Sequence, residues 1–179
     1  MITIVYEDTT YPIAIQREKV VAFLHKQDIP DENIDQLTIR VKRHPEYFWN
    51  TLFIPDGLHY AHNNTVIIYT NWIEEDIRWD IFQDHHDSLP YRINVILFSL
   101  ARIFSKEYRQ PVDLSQVRRK LQREVLTDLN KVLLHELWHF IDDKVLHNIP
   151  IEGFIEPMAE DFEKQHQSLR LIEWETRRE

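Results

Sequence analysis

The sequence predicts an α+β fold, and three observations carry that reading. Strand-like runs fall early in the chain, the clearest being Thr65-Val66-Ile67-Ile68-Tyr69-Thr70. From Pro90 onward the apolar residues recur at helical spacing. Only 2 glycines occur in 179 residues, with no Gly-, Ser- or Pro-rich stretch, so a single compact domain over 1–179 is expected rather than two joined by a linker.

Taken in order, residues 2–6 are β-branched and apolar and read as a strand. Residues 16–26 place Val20, Val21, Phe23 and Leu24 among charges and read as a helix. Leu37, Ile39 and Val41 alternate with polar residues, the period of a half-buried strand. The aromatic run Tyr47 to Ile54 has room for another strand. Pro55-Asp56-Gly57 and Asn63-Asn64 read as turns on either side of a short connection. Residues 71–88 are mixed, with Trp72, Trp79, Asp80, Asp84, His85, His86 and Asp87, and are assigned to no element. Pro90 then opens an amphipathic helix to about Tyr108, through Ile93, Ile96, Leu97, Leu100, Ile103 and Phe104. Asp113 and Gln116 resemble a capping box that restarts a helical pattern running to about His147. Straight, that helix would span about 50 Å, so a bend or break is expected near Thr127-Asp128. A last helix is expected from about Gly153 or Pro157 to Trp174.

The formal net charge of −9 argues against a nucleic-acid partner, which needs a positive surface, and against anionic membranes. No apolar run approaches the length of a membrane span. The first residues lack the basic and apolar regions of a secretion signal, so a cytoplasmic location is expected, although a processed chain would read the same. With no cysteine, a tight metal site must be built from His, Asp and Glu.

His135-Glu136-Leu137-Trp138-His139 is an HExxH motif inside the strongest helical pattern of the chain. Residues four apart lie on one helical face, so both imidazoles can reach one ion, and neutral imidazole suits zinc. Glu136 projects beside the ion and can act as general base towards its water. A third ligand must come from elsewhere. Glu156 lies 17 residues past His139, and Glu160 one turn further, on one face of the last helix. One of the two carboxylates could complete a His-His-Glu set while the other holds a ligand histidine's free N–H. Ala159, small and three residues after Glu156, would let two helices approach closely, which favours Glu156.

HExxH followed by a glutamate in Glu156-x-x-Ala159-Glu160-x-Phe162 resembles the gluzincin metallopeptidases, most nearly the catalytic domain of anthrax lethal factor and the minigluzincins. The likeness covers 9 residues from His135 to Asp143 and 7 from Glu156 to Phe162. It implies a zincin-like fold, a small twisted sheet with helices, a zinc helix and a glutamate-bearing C-terminal helix. It implies Zn2+ held by His135, His139 and Glu156, with Glu136 as catalytic base. It also implies a peptide or protein substrate, bound extended along a sheet edge, for which the run at 65–70 is the expected strand.

Other residues offer chemistry with less support. Asp143 follows His139 by four positions, and His147 could stabilise an oxyanion or sit on a helix end. Asp84-His85-His86-Asp87 has ligand chemistry in a stretch read as irregular. Tyr60, Tyr69, Tyr91 and Tyr108 each carry a phenol, and Trp72, Trp79 and Trp174 read as packing residues. The expectation is a zinc-dependent peptide hydrolase, or alternatively a non-catalytic zincin-like interaction or regulatory module. The oligomeric state is open.

Overall fold

A computed structural model describes residues 1–7, 13–43, 56–86, 88–104, 119–146 and 155–174. The fold is α+β. The expected strand at 47–54, the capping box at 113–116 and His147 lie outside the described residues. The chain divides into two compact units, Met1–Thr70 with Leu126–Glu179, and Asn71–Val125.

In the first unit, β1 (Thr3–Glu7), β3 (Thr38–Lys42), β5 (Thr65–Tyr69) and β4 (Gly57–Tyr60) form one sheet in that spatial order. β1, β3 and β5 are parallel, and β4 runs antiparallel to β5. A second ladder pairs β2 (Ile13–Ile15) with β6 (Ile172–Trp174). α1 (Arg17–His25) and α2 (Asp31–Gln36) precede β3. Ile39 and Val41 are fully buried, as their alternation requires.

The strand at 65–70 forms but is not an edge. β5 is paired on both sides, and all five of its residues are buried. A continuous apolar run marks such an interior strand. The outer strand on this side, among the described residues, is β4, which begins at the last residue of the expected Pro55-Asp56-Gly57 turn and covers residues given no element in the sequence. Its glycine start concealed it, since glycine is poor in strand propensity. Asn64 does turn the chain between β4 and β5, with φ of 51°.

α5 (Arg119–Ile141) stays helical through Thr127 and Asp128, so the expected break is absent. The change comes at the other end, where Asp142–Leu146 forms a wider π-helical turn. α6 (Ile155–His166) stops short of the expected Trp174, and the chain continues into β6. Phe23 of α1 meets Phe162 and His166 of α6, with ring centroids 5.8 and 5.3 Å apart.

Asn130 fastens α5 to the β6 approach. Its Oδ1 accepts from the N–H groups of Leu171 (2.6 Å) and Ile172 (3.1 Å). Its Nδ2 donates to Leu126 O at 2.7 Å. The side chain is 2% exposed, so water cannot replace these bonds.

In the second unit, α3 (Asn71–His85) occupies the mixed stretch to which the sequence assigned no element. Ile73, Ile77 and Asp80 are buried at i, i+4 and i+7, a helical stripe hidden among acidic neighbours. α4 (Tyr91–Phe104) pairs with it through Trp79, Phe82 and Phe98, whose rings lie 5.0–6.3 Å apart. Among the described side chains of α4, Asn94 and Phe98 are buried, whereas Ile93, Ile96, Leu97, Leu100 and Phe104 are exposed. Among the described residues, no helix is long and apolar enough to cross a membrane.

Replacing Asn130 by leucine keeps the volume and removes the bonds, leaving buried N–H groups unpaired. Urea unfolding is expected to show a loss of about 2–3 kcal/mol. A loss below about 0.5 kcal/mol would assign Asn130 no fastening role.

Candidate metal centre

The C-terminal part of α5 buries Leu129, Leu133, Leu134, Leu137, Phe140 and Ile141, each 3% exposed or less. That apolar face orients the rest of the helix. His135 and His139 fall beside it, half-buried, with ring centroids 4.9 Å apart. Trp138 is buried against His139, its ring centroid 5.2 Å away.

α6 brings Glu156 to the pair. One carboxylate oxygen lies 3.1 Å from His135 Nε2 and the other 3.9 Å from His139 Nε2. One donor atom from each of the three residues falls within 4.8 Å of the others. Among the described residues this is the one group of three or more such side chains gathered closely enough to hold a metal. Ala159, one turn beyond Glu156, has no exposed surface. Glu160 is directed elsewhere, 3.9 Å from Lys164 Nζ and well exposed.

Glu136 is 7% exposed and lies beneath β4. A Cβ added at Gly57 would stand 2.7 Å from Glu136 Cγ and 2.8 Å from both Glu136 Oε1 and Val132 Cγ1. Glycine is thus required by close approach. Burial, and secondarily the charge of Glu156, raise the Glu136 pKa to about 8. Glu156 carries the charge that acts on Glu136, and with the two imidazoles it forms a donor set suited to a cation. Burial and then His135 lower the pKa of His139, against the opposing charges of Glu156 and Asp142. The imidazole is held in its neutral form, the one that offers a lone pair to a metal.

Besides Glu156, the carboxylate whose charge acts on His139 is Asp142, three residues further along the chain. Asp143 lies 2.7 Å from Lys144 Nζ, and its charge acts on His59.

His59 was not apparent in the sequence. It lies on β4 two residues after Gly57, with its ring 6.0 Å from Phe140 and perpendicular to it. Its Nε2 is buried with no hydrogen-bond partner among the described residues. Burial lowers its pKa to about 4, partly opposed by Asp143. The available signal was a glycine and a histidine two apart, in a chain with 2 glycines.

None of the other described candidates belongs to this three-donor group. His86 stacks on Phe82 and its Nδ1 lies 3.0 Å from Phe82 O, while Asp84 and His85 are exposed at the end of α3. Tyr69 is buried in β5, Tyr60 and Tyr91 are exposed, and Trp174 is half-buried. Tyr108 and Asp87 lie outside the described residues. Compared with family models, curated proteins and solved structures, the chain finds no match.

Gly57→Ala is expected to destabilise the fold by about 1–3 kcal/mol, the usual cost of overpacking. Urea titration measures it. Unchanged stability would show that Glu136 and Val132 yield freely and that α5 is not seated by this contact.

Proposed function

We propose that the chain is a zinc-dependent peptide hydrolase in which His135, His139 and Glu156 hold the metal and Glu136 is the general base. The observation that carries this reading is the gathering of three donor atoms within 4.8 Å next to a buried glutamate. The residues fit the ion by donor type, by the neutral state favoured at His139 and by the accumulation of carboxylate charge. When bound, zinc supplies Lewis-acid polarisation of a carbonyl and acidification of water.

The chain's own residues do the remainder. Glu136 is held against Gly57 and cannot swing freely, so it presents its carboxylate at a fixed place next to His135. A base so placed accepts a proton from the attacking water and returns it to the leaving amine. The exposure of Glu156 leaves the cluster open to substrate. The zincin-like reading draws support from the order of elements, with parallel β1, β3 and β5 and an antiparallel β4 beside the HExxH helix. β4 replaces β5 as the strand proposed to receive substrate. A peptide adding to its outer edge by main-chain hydrogen bonds would lie alongside Glu136.

The 3.1 Å approach of Glu156 to His135 also suits a rival reading, a histidine–carboxylate pair in a non-catalytic module. Turnover separates the two. Purified chain loaded with zinc is expected to cleave members of a mixed peptide library, read by mass spectrometry. Glu136→Gln is expected to retain zinc and to lower cleavage by about 10²–10⁴-fold, the usual contribution of a general base. Equal cleavage by parent and variant would remove Glu136 from the reaction, and no cleavage by the zinc-loaded parent would favour the rival.

Elemental analysis is expected to find one zinc per chain in the parent and none in His139→Ala. In a metal-competition titration Glu156→Ala should weaken zinc far more than Glu160→Ala. The latter is expected to stay within about tenfold of the parent, the lower bound for residues that support a ligand. The reverse ranking would make Glu160 the third ligand.

A further inference from the structure

We infer that the exposed face of α4 is a self-association surface, through which two copies of this chain pair by antiparallel packing of their α4 helices. The inference is independent of the proposed reaction. Ile93, Ile96, Leu97, Leu100 and Phe104 are 45%, 60%, 37%, 47% and 77% exposed. They recur at i, i+3, i+4, i+7 and i+11 and so form one continuous stripe. The helix spends its inward contacts elsewhere, through Asn94 and Phe98, with Asn94 Nδ2 donating to His86 O at 3.0 Å and Phe98 meeting Trp79 and Phe82. A surface stripe this apolar is the reverse of a solvated helix face.

The area matches what a homodimer needs. At roughly 200 Å² per large apolar side chain, the exposed fractions leave on the order of 500 Å² of apolar surface. A standard interface buries about 800 Å² per partner, and homodimer interfaces are about 65% apolar, which again requires about 500 Å². The stripe is also self-complementary. A two-fold axis between Phe98 and Ser99 sets Ile93 opposite Phe104 of the second copy, Leu97 opposite Leu100, and Ile96 opposite the small Ala101. Each pair is met twice, as a closed two-fold interface requires. α4 holds no Asp or Glu, so the acidic surplus of the chain adds no carboxylate repulsion within the helix pair.

Sedimentation of the full chain tests this. At about 100 µM, well above a micromolar dissociation constant, the parent is expected at twice the chain mass. Leu97→Glu is expected at the chain mass, with thermal unfolding unchanged at a dilution where the parent is monomeric. A monomeric parent at that concentration overturns the inference, as does a dimeric Leu97→Glu. A large drop in unfolding temperature for dilute Leu97→Glu also overturns it, because the stripe would then be covered within one chain. Binding of a monomeric parent to phosphatidylcholine–phosphatidylserine vesicles, lost in Leu97→Glu, would assign the stripe to lipid instead. The register has its own test, since the chain has no cysteine. Mixed Leu97→Cys and Leu100→Cys are expected to form a disulfide-linked dimer faster than either variant alone. Equal rates would overturn the antiparallel register.

Discussion

The approach of β4 to α5 at Gly57 is the contact on which the candidate centre depends. Glu136 and Val132 occupy the space a side chain at position 57 would fill, so strand and helix meet with no intervening layer. Two residues along the strand, His59 meets Phe140, one turn further along the helix. Strand and helix therefore run side by side in step, close to 6–7 Å per repeat on each. This seating buries Glu136 while its neighbours His135 and His139 remain half-open towards α6. A rotation of α5 by one residue would exchange those roles and scatter the donors.

The charge pattern follows from the same seating. Glu136 is pushed up to about 8 by burial and by Glu156, and His139 is pushed down by burial and by His135. Both directions reflect a pocket too low in polarisability for its own charges. A cation among these groups relieves the carboxylate repulsion and takes the lone pairs of the neutral rings. Glu156 is contributed by α6, which meets α1 through Phe162, His166 and Phe23. Ala159 is buried on the same helix. The third donor thus relies on helix–helix packing far from it in sequence.

The second unit uses its apolar residues differently. α3 and α4 join through a small aromatic group around Trp79, Phe82 and Phe98. The most apolar stripe of α4 is left outward, while Asn94 lies inside. Burying an amide and exposing leucine and isoleucine runs against the ordinary partition of side chains. The arrangement is physically reasonable when the stripe has its own partner.

The α+β class, the strands around Val5, Ile39 and Ile67, the helices around Phe23 and Leu133, and the set His135, Glu136 and His139 were legible in the residues alone. Those features are local. Periodicity sets an element's type, and four-residue spacing on a helix sets two histidines on one face, whatever surrounds them. The rest depends on contacts between segments distant in the chain. β5 is interior because β4 pairs along its far side, and no composition distinguishes an interior apolar strand from an edge. Glu156 and Glu160 share a helical face, yet only the packing of α6 brings Glu156 to the histidines and leaves Glu160 with Lys164. His59 is brought against Phe140 by the pairing of β4 with β5. The outward face of α4 was equally illegible, because periodicity shows that a helix has an apolar side but not which neighbour, if any, covers it.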